Sequence, residues 1–232
     1  MRLRRNCLLA AMLLSLPWGT AAASGQDGAA PPATLTGTDA RSRSLYLTLI
    51  RNLRRAGQVH AALAHLDAFD RQFPRSDDAA LLRGDCLTDI ARHAEAAAVF
   101  QKLTRGKQAA AAAYAGLGRI DALSERWAAA AANYALAVQR APTMAAYLSD
   151  YGFVLLRAQR PRDAVFRLRQ AVELDAGDAR ARNNLILALA ASGDDAAARQ
   201  LLATVADPQQ KADLEAELAR PAVAAATAQP AS

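Results

Sequence analysis

Cysteine, histidine and lysine are scarce in this chain. Its 232 residues include two cysteines, three histidines and three lysines (Lys102, Lys107 and Lys211) against 25 arginines, and aromatics make up 5%. Each shortage excludes something. Cys7 lies in the N-terminal stretch described below, so Cys86 stands alone in the remainder and no disulfide staples it. A lone thiol in an oxidising compartment is expected to be buried. His60 and His65 are five apart and diverge on a helix, unlike the i, i+4 pair that grips zinc. The motifs HExxH, CxxC, GxSxG and GxxxxGK[ST] do not occur. No run approaches the roughly 20 apolar residues that cross a bilayer. We therefore expect no catalytic residues, no metal and no cofactor. Glycine and proline are sparse, while alanine and leucine abound, which favours helices over strands.

The formal charge is +6, but Arg2, Arg4 and Arg5 supply three of these charges, leaving about +3. That is a weak field, and nucleic acid is not expected as a partner. The N-terminus has the parts of a secretory signal peptide. Arg2, Arg4 and Arg5 make a basic region, Cys7 to Leu16 a short apolar run, and Ala21-Ala22-Ala23 a small-residue cleavage site before Ser24. The leader is either cleaved or kept as an anchor. Cys7 precedes the apolar run rather than following it, so it is not a lipoprotein cysteine. The expected location is the periplasm, with outer-membrane association left open. Residues 24–42 lack periodicity and are rich in Gly, Pro, Ala and Thr, which predicts a flexible linker. Residues 221–232 predict a disordered tail.

Between them the sequence repeats itself. Gly84, Gly118 and Gly152 are 34 apart. So are Ala62, Ala96, Ala130, Ala164 and Ala198, each followed four places on by Leu66, Phe100, Tyr134, Leu168 and Leu202. Three places further stand Phe69, Leu103, Ala137, Ala171 and Val205. Gly57 and Gly193 share a turn position, and Pro74 and Pro142 close their units. This pattern resembles the tetratricopeptide repeat (TPR), W-x2-L-G-x2-Y, then A-x3-F, then P, with a 34-residue period. The resemblance is clearest in the unit holding Tyr114, Leu117, Gly118, Ala130, Tyr134 and Pro142.

The expected fold is all-α, a right-handed superhelical solenoid of about five TPR helix pairs. It would span 43–220, with units 43–76, 77–110, 111–144, 145–178 and 179–212. Ile186 replaces the glycine of the fifth unit, and Pro208 comes two residues early for its closing turn. A short helix over 211–220, using Leu214 and Leu218, is expected to cap the stack. Small alanines are expected to bring the paired helices close, and the glycines to admit the next unit's helix. The stripe Tyr46, Leu49, Ile50 and Leu53 and the stripe Ala62, Leu66, Phe69 and Phe73 are the expected core faces of the first pair.

In such a stack the first helix of each unit lines a concave groove, facing it with its ninth, twelfth and thirteenth residues. Those places are Arg51, Arg54 and Arg55, then Asp85, Thr88 and Asp89, then Arg119. Asp150 and Phe153 follow, then Asn183, Asn184 and Leu187. The groove is thus expected to be basic at its N-terminal end and mixed to apolar at its C-terminal end. It suits an extended or helical segment of a protein partner. Contact of the arginine cluster with acidic lipid headgroups is a second reading, and plain solvation a third.

The segment ELDAGDARARNNLILALAASGDDAAARQLL, from Glu173 to Leu202, joins an ELDxGD turn to an RNNL-x-LAL-x-x-SGD helix pair. With the leader and compact stack it resembles the TPR proteins of Flp/Tad pilus assembly, the TadD group. That resemblance implies a non-catalytic scaffold of the bacterial envelope that helps the pilus or its secretion apparatus assemble. An adaptor for another envelope complex or a cell-wall enzyme is the alternative. Members of the group are often lipoproteins, and the missing lipoprotein cysteine departs from that pattern.

Overall fold

The computed structural model describes residues 40–219. The expected signal peptide at 1–23, most of the linker and the tail at 221–232 lie outside the described residues. Within them the chain is all helix, with eleven helices and no strand. They pair in order: α1 (Ala40–Arg55) with α2 (Val59–Gln72), α3 (Asp77–Asp89) with α4 (His93–Leu103), and α5 (Ala110–Leu123) with α6 (Trp127–Arg140). Then come α7 (Ala145–Arg157) with α8 (Pro161–Leu174), α9 (Ala179–Ala191) with α10 (Asp195–Leu202), and α11 (Pro208–Leu218). One linker expectation needs correcting. Residues 40–42 belong to α1, because the Gly- and Pro-rich composition has ended by Ala40 and nothing there opposes helix.

The 34-residue period becomes a repeated helix hairpin. Each turn inside a pair places one residue in the left-handed region: Gly57, Ala91, Glu125, Gln159 and Gly193, with φ between 55° and 88°. The next residue's N–H then bonds back to the carbonyl five positions earlier, as Gln58 does to Leu53 and Arg92 to Leu87, at 2.8–2.9 Å. This closure satisfies carbonyls that the helix end leaves free. Side-chain caps start several helices: Ser76, Asp178, Asp194 and Asp207 each accept from a backbone N–H one turn in.

The alanine column (Ala62, Ala96, Ala130, Ala164, Ala198) is buried throughout, at 0–2% exposure. The large residue four places on (Leu66, Phe100, Tyr134, Leu168, Leu202) is buried as well. The glycines serve a nearer neighbour than expected. A Cβ at Gly84 would meet Phe100 at 2.6 Å, one at Gly118 would meet Tyr134 at 2.7 Å, and one at Gly152 would run into Leu168. Each glycine therefore admits the bulky side chain of its own unit's second helix. Ile186 fits in the fifth unit, where the partner column holds Leu202 and the two share a cluster with Val205 and Leu214.

The sequence stripe on α1 also needs correcting. Ile50 is fully buried, but Leu49 is 46% exposed and faces away from the stack. The stripe Ala62, Leu66, Phe69 and Phe73 is buried as expected. At the far end Pro208 opens a helix instead of closing a unit. It sits in the first turn of α11 behind the Asp207 cap, where a missing N–H costs nothing. Leu214 buries against α9 and α10, closing the C-terminal end.

Candidate binding groove

The first helices α1, α3, α5 and α7 face a common concave cavity of about 380 Å³. Its wall includes Arg51, Arg54 and Arg55 of α1, Asp78, Leu81 and Asp85 of α3, Ala112, Ala115, Gly116 and Arg119 of α5, and Tyr147 and Asp150 of α7. Phe100 and Tyr134, from second helices, form part of the floor. Neighbouring first helices form its wall, α1 lying against α3 and α3 against α5.

An ion-pair ladder runs across this surface. Arg54 bonds Asp89 at 2.6 and 3.2 Å and Asp85 at 3.2 Å, and Arg119 bonds Asp85 at 2.7 Å from the other side. Asp85 and Arg119 hold the same place in consecutive units, so the period itself sets them side by side. Burial opposes charge on Arg54, but the Asp89 hydrogen bond and the Asp85 and Asp89 charges outweigh it and raise its pKa. Asp85 keeps about a third of its side chain in solvent, at 34% exposure. Its pKa is still raised, because burial outweighs the two arginines. Asp150 behaves alike: burial raises its pKa, against Arg180, which sits 2.8 Å away, and Arg119. The phenol of Tyr134 is pushed well above its ordinary pKa by burial and then by Asp150, so it stays a neutral hydroxyl. Arg119 Nε is buried without a partner in the protein. Ion pairs this exposed are worth about 0–1 kcal/mol each, so their main effect is to orient the groove side chains.

The cavity is built entirely on the repeat, and comparison with known proteins agrees. The profile of the tetratricopeptide repeat matches residues 47–110 and 154–213, together more than half of the chain. The chain belongs to the tetratricopeptide repeat family. A search of curated proteins finds no match. Among solved structures, the TPR stack resembles PilF of Pseudomonas aeruginosa, with TM-score 0.65 and 17% identity over 81% of this chain and 88% of that one. It also resembles MamA (41-end) of Desulfovibrio magneticus RS-1, with TM-score 0.56 and 17% identity over 77% and 97%. A third likeness is YrrB, described as a TPR protein with an unusual peptide-binding site, with TM-score 0.51 and 18% identity over 79% and 91%. At such identities these likenesses speak for the TPR fold.

The structure brings together Arg51, Arg54, Arg55, Asp85, Arg119 and Asp150 around the cavity. Phe153, Asn183, Asn184 and Leu187 do not line it. Phe153 packs edge-on against Trp127, with ring centroids 6.4 Å apart, and Arg157 stacks on the same indole at 4.9 Å. Leu187 packs into the C-terminal cluster with Ile186 and Leu202, and Asn183 Oδ1 is buried without a protein partner. Thr88 is a correction: it is buried, its hydroxyl donating to the Gly84 carbonyl at 2.9 Å. The expected basic N-terminal end is also modified, since Asp85 and Asp89 neutralise Arg54. Among the described residues, Arg51 and Arg55 have no carboxylate partner. Sequence reasoning missed Asp78, Leu81, Ala112, Ala115 and Tyr147. For Asp78, Leu81, Ala112 and Ala115 the signal was available, because the second and fifth places of each unit lie one or two turns before the ninth on the same helix face, whereas Tyr147 holds a third place.

Proposed function

We propose that this TPR protein is a non-catalytic scaffold of the bacterial envelope whose concave groove holds a segment of a partner protein. The observation that carries the reading is the cavity on α1, α3, α5 and α7, with two free arginines at its N-terminal side and an oriented ladder of charges along its wall. Paired charges fix the register of a bound segment, while Arg51 and Arg55 offer it cations that the fold does not consume. We place it in the periplasm on the leader-like N-terminus, and in Flp/Tad pilus assembly on the Glu173–Leu202 segment.

The test spares Arg54, whose loss would disturb α3. The double variant Arg51→Ala/Arg55→Ala is expected to change unfolding stability by less than about 0.5 kcal/mol. It should sharply reduce recovery of partners when the tagged full chain is pulled from its own cells. Unchanged recovery removes the groove assignment. Recovery of a secretin or secretion ATPase with the wild-type chain supports the pilus reading, whereas recovery of a cell-wall enzyme replaces it. Fractionation to the cytoplasm refutes the envelope reading.

A further inference from the structure

The ninth places of the first four units are Arg51, Asp85, Arg119 and Phe153. The first three line the cavity, and the chemistry changes at the fourth. Arg119 meets the ninth-place Asp85 of the unit before at 2.7 Å and the thirteenth-place Asp89 of that unit at 4.0 Å. One unit on, the same register sets Phe153 beside Arg119 and beside Leu123, the thirteenth residue of the third unit. Phe153 is steadied by Trp127 of α6, edge-on to its ring, and the Arg157 guanidinium stacks on that indole. The apolar side chains are nonetheless open, Leu123 at 58% exposure and Phe153 at 38%.

We propose that Phe153, Leu123 and Trp127 form an apolar subsite where the groove continues past its charged wall. Its occupant is an extended segment of a partner protein with a large apolar side chain about eight residues from a pair of carboxylates, which Arg51 and Arg55 take. This rests on the groove reading above and adds to it the chemistry and length of the bound segment. Packed helices lie about 8–10 Å apart, so Arg51 and Phe153, three units apart, are separated by about 24–30 Å. About eight residues of extended chain cover that span at about 3.3 Å each. A cavity of about 380 Å³ shared among four helices is narrow against a helix about 10–12 Å across, which favours the extended form. Between the two ends Asp85 and Arg119 already pair with each other, so the intervening residues of the segment are free to vary. The chain's own outlying segments lack the pattern. Residues 24–39 hold two carboxylates twelve residues apart, Asp27 and Asp39. Their one large apolar residue, Leu35, is five residues before Ala40, a reach of about 18 Å that falls short of Phe153. Residues 220–232 hold no acidic side chain.

The test measures fluorescence anisotropy of labelled synthetic peptides with the purified full chain. A Gly/Ser peptide with Asp-Asp and Phe eight residues apart should bind about tenfold more tightly than the same peptide with Ser in place of Phe. With Asp-Asp and Phe only three residues apart, a reach of about 10 Å, that gain should vanish. Leu123→Ser and Phe153→Ser should each remove the gain and leave the affinity of the Ser peptide unchanged. Leu123→Ser, at the more exposed site, should also leave the urea midpoint unchanged. Arg51→Ala/Arg55→Ala should weaken both peptides alike. Equal affinity of the Phe and Ser peptides overturns the subsite, as does a gain that survives at the short spacing or in both serine variants. Absence of binding by every peptide overturns it too. If the arginine variant weakens binding while Phe adds nothing, the groove stands and the subsite falls; if neither matters, both fall. In cells, a photo-crosslinking amino acid at Leu123 should capture a partner segment of this pattern, and crosslinks to residues 24–39 or to a second copy overturn the assignment.

Discussion

Replacing Gly116 with alanine tests how the groove floor is built. The Phe100 ring is 1% exposed and is wedged between two glycines. A Cβ at Gly84, in its own unit, would lie 2.6 Å from the ring, and one at Gly116, in the next unit, 2.5–2.7 Å from three ring carbons. Ordinary contact begins near 3.4 Å, so the added methyl would overlap the ring by about 0.7–0.9 Å. The ring has little room to move, because the α3 backbone at Gly84 crowds two of the same ring carbons. Overpacking of a core costs about 1–3 kcal/mol, and a ring already crowded by two backbones puts this case in the upper half. Alanine returns about 0.5–1 kcal/mol through lower chain entropy and better helix propensity. The expected net loss is about 1–2 kcal/mol. For a stack of this size that lowers Tm by about 2–8 °C. Urea and thermal unfolding measure it. Adding Phe100→Leu should recover part of the loss, giving a coupling of about 1 kcal/mol in a double-mutant cycle. If Gly116→Ala leaves stability unchanged or raises it, or if the two substitutions simply add, the wedge does not govern the α3–α4–α5 junction.

Glu125 and Gln159 carry left-handed φ values of 55° and 59°, which cost a side-chain-bearing residue about 1–2 kcal/mol. Glu125→Gly or Gln159→Gly should therefore raise the urea midpoint by about 0.5–1 kcal/mol equivalent after the entropy of glycine is counted, while Gly193→Ala lowers it. Asp150 has a folded pKa above its ordinary value, so the folded chain binds its proton more tightly than the unfolded chain does. Its contribution is fully present below the ordinary aspartate value and is lost as pH rises through the raised folded value. Asp150→Asn should remove that slope from the stability profile, and a carboxyl NMR titration should place Asp150 above the ordinary range and Glu95, held by Arg92, below it. Cys86 is fully buried and its thiol is pushed up to about 11 by burial. An aromatic disulfide reagent should modify it only at the rate at which the stack opens, and rapid modification of the native chain would contradict that burial.

The ladder changes how the groove's charge is understood. Counting residues along α1 gives a basic cluster, yet Arg54 is already engaged by the next unit. Asp85 is held from both sides, by the twelfth-place Arg54 of the unit before and the ninth-place Arg119 of the unit after, so these residues are partners before they are ligands for anything else. Arg51 and Arg55 remain available because no described carboxylate of α3 reaches them.

The sequence alone was sufficient for the fold class, because a 34-residue column of alanine, glycine and bulky residues encodes one helix hairpin, and a hairpin must stack to bury its apolar face. The same register placed the first-helix residues of the early units on the groove side. Period and face are local properties, repeated in every unit, so one-dimensional spacing carries them. What depends on distances between units required the tertiary structure. The packing of Phe100 against Gly84 and Gly116 and the pairing of Arg54 with Asp85 and Asp89 are of this kind. So is the exposure of Leu49, which sits in a core-like stripe but meets no preceding unit among the described residues. A repeat sequence does not mark which junction is the last; only the packed stack shows which faces have met a neighbour.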